Sequence, residues 1–199
     1  MNRRTFSLAA LAAAAMAVTA ASPANAKLYY DADLNDWVER TPRTGNGGPK
    51  NYKPIPREIV PYDTKFKVGT IIVETSERRL YLVLGDGKAL RYGIGVGRDG
   101  FRWSGQHKIT RKAEWPGWTP PPEMRKRVPD LPVYMPGGAD NPLGARALYI
   151  GSTLYRIHGT SEPWTIGSAV SSGCIRLTND DIIDLYDRVK VGSLIVVHQ

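Results

Sequence analysis

The stretch Thr70-Ile71-Ile72-Val73-Glu74-Thr75-Ser76-Glu77-Arg78-Arg79-Leu80-Tyr81-Leu82-Val83-Leu84 decides the fold class. β-Branched, aliphatic and aromatic residues dominate 70–75 and 79–84, and three polar residues separate the two halves. Such runs favour strands because branched and aromatic side chains pack well on a pleated surface. The stretch therefore predicts a β-hairpin with its turn at 76–78.

Further strand patterns follow this hairpin. They predict strands at 89–96, 107–111, 147–150, 154–157 and 193–197. One helix is indicated before the last strand: Thr178 can cap it, Asp181 is the acidic partner, and its apolar face contains Ile182, Ile183, Leu185, Tyr186 and Val189. Many strands and one helix predict a mainly β fold, a sandwich or partly closed barrel of mixed strands with one helix near the C-terminal end.

The N-terminal residues differ in character from this β region. Residues 1–26 resemble a signal peptide, with Arg3 and Arg4, an apolar run at 8–21 and a small-x-small site ending at Ala26. The paired arginines also resemble the twin-arginine export signal. Residues 27–66 are rich in Pro and Gly and predict an arm or linker, which leaves 67–199 as the folded domain. We expect an exported protein of the periplasm or cell envelope, without stable membrane insertion.

Composition excludes several function classes. The 199 residues include 27 Lys and Arg, 19 Asp and Glu and one Cys, and the net charge is +8. A single Cys rules out a disulfide scaffold. The basic residues are scattered and no zinc-ligand pattern is found, which favours a solvated basic surface over a nucleic-acid partner. Such a surface attracts anionic partners over a distance that shortens with salt.

A proline-rich segment interrupts the strands at 115–142, where eight of the 15 prolines lie. Each Pro removes a backbone donor and fixes φ, so we expect neither a regular helix nor a central strand here. Two interpretations stay open, an excursion packed over the sheet edge and a substrate-binding lid. In the second, Trp115 and Trp118 are the candidate substrate contacts.

Two short segments contain the candidate chemistry, Ile157-His158-Gly159-Thr160 and Ser171-Ser172-Gly173-Cys174-Ile175-Arg176-Leu177. A lone Cys in an exported protein is either a small buried hydrophobe or a nucleophile that needs a base or a positive environment. Of the three histidines, His107 and His198 are interpreted as surface residues. His158 ends an apolar strand beside a glycine and is the candidate base, although an ordinary edge histidine is the alternative.

His-Gly-Thr followed by Ser-x-Gly-Cys-Ile-Arg, with Cys174 sixteen residues after His158, resembles the catalytic motif of the L,D-transpeptidase (YkuD-like) domain. The hairpin within 71–83, the Asn141-Pro142-Leu143-Gly144 turn, and the helix and strand after Cys174 also match that domain. The resemblance covers about 67–197.

The resemblance implies a function and roles for individual residues. Cys174 matches the nucleophile that forms a thioester with a peptidoglycan tetrapeptide stem, and His158 matches its base. Gly159 matches the residue whose carbonyl orients the imidazole. The implied substrate-binding positions are Ser171, Ser172, Gly173 and Arg176, and the backbone N–H groups of Gly173 and Cys174 would face the oxyanion. For Arg176, binding of a substrate carboxylate and binding of a structural carbonyl both stay open. No cofactor and no metal are implied; the partners are stem peptides, with an envelope protein as an alternative acyl acceptor.

The sequence also departs from that family's pattern. Position 172 is Ser where many members have a basic residue, and the usual Thr-Pro-x-Gly element is replaced by residues 98–105. Two other functions stay open: a non-catalytic peptidoglycan-docking module, and a hydrolase or L,D-carboxypeptidase that uses the same thioester. The order His before Cys disfavours a papain-like protease, and the few histidines disfavour a zinc amidase.

Overall fold

The computed structural model describes residues 27–31, 36–40, 52–99, 103–120, 122–127 and 129–199. The leader and cleavage site expected at 1–26 lie outside these residues. The described strands are β1 Lys27–Asp31, β2 Asp36–Arg40, β3 Glu58–Pro61, β4 Ile71–Glu74, β5 Arg79–Gly85, β6 Lys88–Gly93, β7 Val96–Gly97, β8 Gly105–Glu114, β9 Arg146–Ile150, β10 Arg156–His158, β11 Ala169–Ser171, β12 Ile175–Arg176 and β13 Leu194–His198. The helices are α1 Pro122–Arg127, a 3-10 turn at Pro163–Thr165 and α2 Asn179–Arg188.

Nine strands form one mixed sheet in the order β12-β10-β9-β8-β13-β4-β5-β6-β3. Two of its pairs are parallel, β4 with β13 and β10 with β12, and the others are antiparallel. β7 and β11 form a separate parallel pair, and β1 pairs with β2. β13 lies in the middle of the main sheet, so the last strand joins the hairpin half to the half that contains β8, β9 and β10.

The sheet bends so that its distant parts approach each other. Gly95, just after β6, forms two backbone hydrogen bonds of 2.9 Å with Arg176 of β12. One apolar core fills the space between the two halves of the sheet and α2. Its members include Ile71, Leu80, Tyr92, Ile109, Leu148, Ile157, Ile175, Leu185 and Ile195. The expectation of a mainly β, sandwich-like fold is confirmed, and the sheet is not a closed barrel.

The hairpin and the C-terminal helix agree with their predictions. β4 and β5 pair antiparallel, with Ile71 opposite Leu82. The Thr178 hydroxyl oxygen accepts a hydrogen bond of 3.2 Å from the N–H of Asp181, and caps α2. The strand expected at 89–96 ends at Gly93, because the chain leaves β6 there and Val96 pairs instead with Ala169 of β11.

Part of the expected arm belongs to the main sheet. β3 pairs antiparallel with β6 and forms an edge strand. The Arg57 side chain contacts Asp181 of α2 at 3.1 Å. A side-chain carbon at Gly93 would lie 2.7 Å from Ile55, so this segment packs closely against β6. Residues 55–61, which the sequence predicts as part of an arm or linker, therefore pack on the main sheet.

The proline-rich segment folds as an excursion with a small core of its own. Trp118 is 6% exposed and packs with Met124, Leu131 and Leu143. Trp118 and Met135 exchange backbone hydrogen bonds of 2.8 and 2.7 Å. The expectation of no helix here is wrong for the short α1, which Pro122 can begin because the first helical residue needs no N–H partner.

No helix in the described ranges is long and apolar enough to cross a membrane.

Candidate active site

The parallel pairing of β10 with β12 brings the two candidate catalytic segments together. Ile157 lies opposite Ile175, and both are buried in the main core at 0% and 2% exposure. Side chains alternate along strands, and residues opposite each other in neighbouring strands point to the same side. His158 follows the first isoleucine within β10 and therefore points away from that core, and Cys174 immediately precedes β12. Cys174 is a half-buried free thiol.

The imidazole of His158 is fixed by the backbone of the next residue. Its Nδ1 lies 2.6 Å from the carbonyl oxygen of Gly159. A carbonyl oxygen can only accept, so Nδ1 carries the proton and the lone pair lies on Nε2. This tautomer presents a proton acceptor on the far side of the ring.

Burial and charge keep that imidazole neutral. His158 is 4% exposed, and its burial, with the positive charges of Arg176 and then Arg156, lowers its pKa to about 3, although the Gly159 carbonyl acts in the opposite direction. Arg176 lies opposite His158 in the strand pairing, and Arg156 is two residues before it on the same strand face. At neutral pH the ring is therefore uncharged, and Nε2 can accept a hydrogen bond.

Asn179, the first residue of α2, supports the loop that holds His158. Its Oδ1 accepts hydrogen bonds from the N–H of Ala145 at 3.0 Å and from that of Thr160 at 3.2 Å. A Cβ at Gly159 would lie 2.3 Å from the same oxygen, so only glycine leaves room for it. Asn179 thereby ties the 144–145 turn and the 159–160 loop to the start of the helix.

The turn before Cys174 is held by its own hydrogen bonds. Gly173 has a φ of +104°, which favours glycine, and its N–H donates to the Ser171 hydroxyl oxygen at 3.2 Å. That hydroxyl donates in turn to the Cys174 carbonyl oxygen at 2.5 Å. The Trp103 indole N–H donates to the Gly173 carbonyl oxygen at 2.8 Å. Thus Ser171 contacts the backbone of the candidate nucleophile.

The remaining predicted residues lie in different surroundings. Ser172 is half-buried in the turn, and Arg176 is 8% exposed. Trp115 is 47% exposed and has a φ of +39°, whereas Trp118 is buried in the excursion. His198 is exposed and contacts Glu74 at 2.7 Å, but His107 is half-buried, with its ring centroid 5.8 Å from that of Trp103.

Two residues that sequence reasoning missed belong to this neighbourhood. Asn179 follows the helix cap and resembles any polar residue at a helix start. Trp103 is a large aromatic in a polar, Gly-containing loop, and that contrast was the available signal. No group of three or more His, Cys, Asp or Glu side chains that could hold a metal occurs within the described ranges.

Comparison with known proteins places the chain in a known family. The model of the L,D-transpeptidase catalytic domain matches residues 69–197. The Escherichia coli protein named Probable L,D-transpeptidase ErfK/SrfK is 40% identical over 178 residues, which cover 84% of this chain and 56% of that protein. The chain thus spans about half the length of the curated relatives it matches.

Two solved structures resemble the chain. L,D-transpeptidase 3 of Mycobacterium tuberculosis is 16% identical with a TM-score of 0.51, covers 66% of this chain and 61% of its own, and is similar in fold alone. A Brucella melitensis protein named probable carnitine operon oxidoreductase is 44% identical with a TM-score of 0.50, over 73% of this chain and 92% of its own. On the family match over 69–197, the chain belongs to the L,D-transpeptidase catalytic domain family.

Proposed function

We propose that this chain is an exported L,D-transpeptidase that uses Cys174 as its nucleophile on peptidoglycan tetrapeptide stems. The observation that carries the proposal is the pairing of β10 with β12, which brings the strand that contains a neutral His158 beside the strand that follows Cys174. The half-buried thiol is accessible to a substrate, and the Nδ1 contact with Gly159 leaves Nε2 as the proton acceptor.

The first half of the reaction forms a thioester. His158 Nε2 takes the thiol proton, and Cys174 Sγ attacks the carbonyl carbon of the diaminopimelate residue that precedes the terminal D-Ala. The developing oxyanion needs a fixed N–H donor. The C–N bond breaks, the leaving amine takes the proton from His158, and free D-Ala departs.

The second half transfers the stem to an amine. The acceptor amine loses its proton to His158 and attacks the thioester carbonyl, and Cys174 leaves as the thiol. An amine of a second stem gives a 3-3 cross-link, and an amine of an envelope protein gives attachment to the wall. Water in the same position gives hydrolysis, so the acceptor determines the product class.

Export is proposed on the leader pattern at 1–26, which directs the chain to the compartment where peptidoglycan lies. The excess of Lys and Arg over Asp and Glu, which persists after Arg3 and Arg4 are removed, would favour approach to the anionic wall.

Intact-protein mass spectrometry tests the proposal. The protein is incubated with disaccharide-tetrapeptide fragments beside Cys174→Ala, and the released muropeptides are analysed in the same run. We expect a stem adduct that lacks D-Ala on the wild type alone, followed by amide-linked products. Binding without adduct or product would contradict the proposal and favour a docking module. Release of D-Ala with water as the only acceptor would identify a carboxypeptidase instead.

A further inference from the structure

The peptide unit between Gly173 and Cys174 requires an external support. Gly173 has a φ of +104°, and glycine adopts both signs of φ with little cost, so this peptide plane is held weakly by its own backbone. The Gly173 N–H is used by the Ser171 hydroxyl at 3.2 Å. Of the two N–H groups expected to face an oxyanion, that of Cys174 is therefore the better candidate.

Trp103 contacts this peptide unit from its carbonyl side. The indole N–H donates to the Gly173 carbonyl oxygen at 2.8 Å. In a trans peptide the carbonyl and the N–H point in opposite directions, so a fixed Gly173 carbonyl fixes the direction of the Cys174 N–H. A hydrogen bond to the carbonyl also polarises the unit and strengthens its N–H as a donor.

The indole is itself held in place. Its ring stacks on that of Tyr155, with centroids 4.7 Å apart and planes 2° apart. Its edge contacts His107, with centroids 5.8 Å apart. Trp103 also lines a small depression with Gly173, Val96 and Ile175. These contacts, with packing against the main core, hold the indole N–H beside the turn.

We propose that Trp103 is a positioning residue that clamps the Gly173–Cys174 peptide unit, so that the Cys174 N–H faces the oxyanion formed during acyl transfer. The proposal rests on Cys174 acting as the nucleophile, which belongs to the proposed function. Trp103 acts through the backbone of Cys174 and is not expected to change the nucleophilicity of the sulfur.

Two small probes separate these effects. With p-nitrophenyl acetate, the thiolate attacks the ester carbonyl, an oxyanion forms, p-nitrophenolate leaves and an acetyl thioester remains. With iodoacetamide, the thiolate displaces iodide at a tetrahedral carbon, and no oxyanion forms. We expect Trp103→Phe to lower the acylation rate about tenfold, below the loss for deleting an oxyanion donor, and to leave the alkylation rate unchanged.

The controls keep the result interpretable. Tyr81 belongs to a separate apolar cluster, and its hydroxyl donates a hydrogen bond of 2.9 Å to Glu77. Tyr81→Phe removes this donor and should change neither rate. If Trp103→Phe fails to fold, 3-benzothienylalanine at position 103 keeps both rings and removes only the N–H, with the same expected result. Equal acylation in variant and wild type, or an equal fall in both rates, would overturn the proposal.

The outcome is independent of the natural substrate, because neither probe contains a stem peptide. If the wild type fails to process tetrapeptide fragments but Trp103→Phe still loses acylation selectively, the clamp stands and the proposed function fails. If the stems are processed and the two variant rates equal those of the wild type, the function stands and the clamp fails.

Discussion

The β10–β12 pair and the excursion at 115–142 differ in where they place the residues that the sequence singles out as candidate functional groups. In the strand pair, isoleucines face the core, His158 takes the other face, and Cys174 immediately precedes β12. In the excursion, Trp118 turns inward and packs with Met124 and Leu131. The first region positions the proposed catalytic groups beside the main core, whereas the second uses large side chains to build a small core of its own.

The backbone around a residue determines how closely its side-chain direction is fixed. A Cys or His beside a buried strand residue is placed by alternation and has a defined direction. In a long irregular connection, side chains do not alternate as they do in a strand, so the direction of an aromatic side chain depends on its tertiary contacts.

Cys174→Ala removes the proposed nucleophile beside the β10–β12 pair and should have the largest effect on activity. We expect D-Ala release from a tetrapeptide fragment to fall at least about a thousandfold, because the thioester cannot form. The thermal unfolding midpoint should stay close to that of the wild type, since the side chain is half-buried and small. Turnover near the wild-type rate would exclude Cys174 as the nucleophile.

Trp118→Ala tests how much the small core of the excursion contributes to stability. We expect the free energy of unfolding to fall by about 3 kcal/mol, because the substitution empties the centre of the excursion's small core. Chemical denaturation measures the change. A loss of stem affinity with unchanged stability would instead make Trp118 a substrate contact.

His158→Gln sharpens the account of the neutral imidazole. The folded-state pKa, about 3, lies below the usual value of 6.5, so the unfolded chain binds the proton more readily between these values. The contribution of the uncharged His158 to the free energy of unfolding is therefore complete above pH 6.5 and decreases as the pH is lowered towards 3. As the pH falls through this range, the free energy of unfolding of the wild type should decrease by up to about 1.4 kcal/mol per pH unit more than that of the variant. Urea unfolding from pH 4 to 7 measures the difference, and parallel curves would contradict it.

Trp115→Ala should have the smallest effect. The side chain is 47% exposed, so we expect stability to change by less than about 0.5 kcal/mol. If Trp115 contacts the stem, KM rises and kcat is unchanged. An unchanged KM would leave it as a surface residue of the excursion.

Short-range sequence patterns predicted the elements that depend on residues close together in the chain. The hairpin at β4 and β5, the Thr178 cap and the position of His158 at a strand end follow from side-chain pattern, capping chemistry and a neighbouring glycine. β3, the β7–β11 pair and the role of Asn179 depend on partners distant in sequence, for which no local period exists. Trp103 was missed for the same reason, because its partner Gly173 lies on another loop.

The central position of β13 has a consequence for the order of folding. β4 and β8 are both held by this strand, one parallel and one antiparallel. The continuous nine-stranded sheet can therefore be completed only after Leu194–His198 has left the ribosome. Nascent chains would expose the inner edges of both halves until then, which makes this interval the period of greatest risk for aggregation.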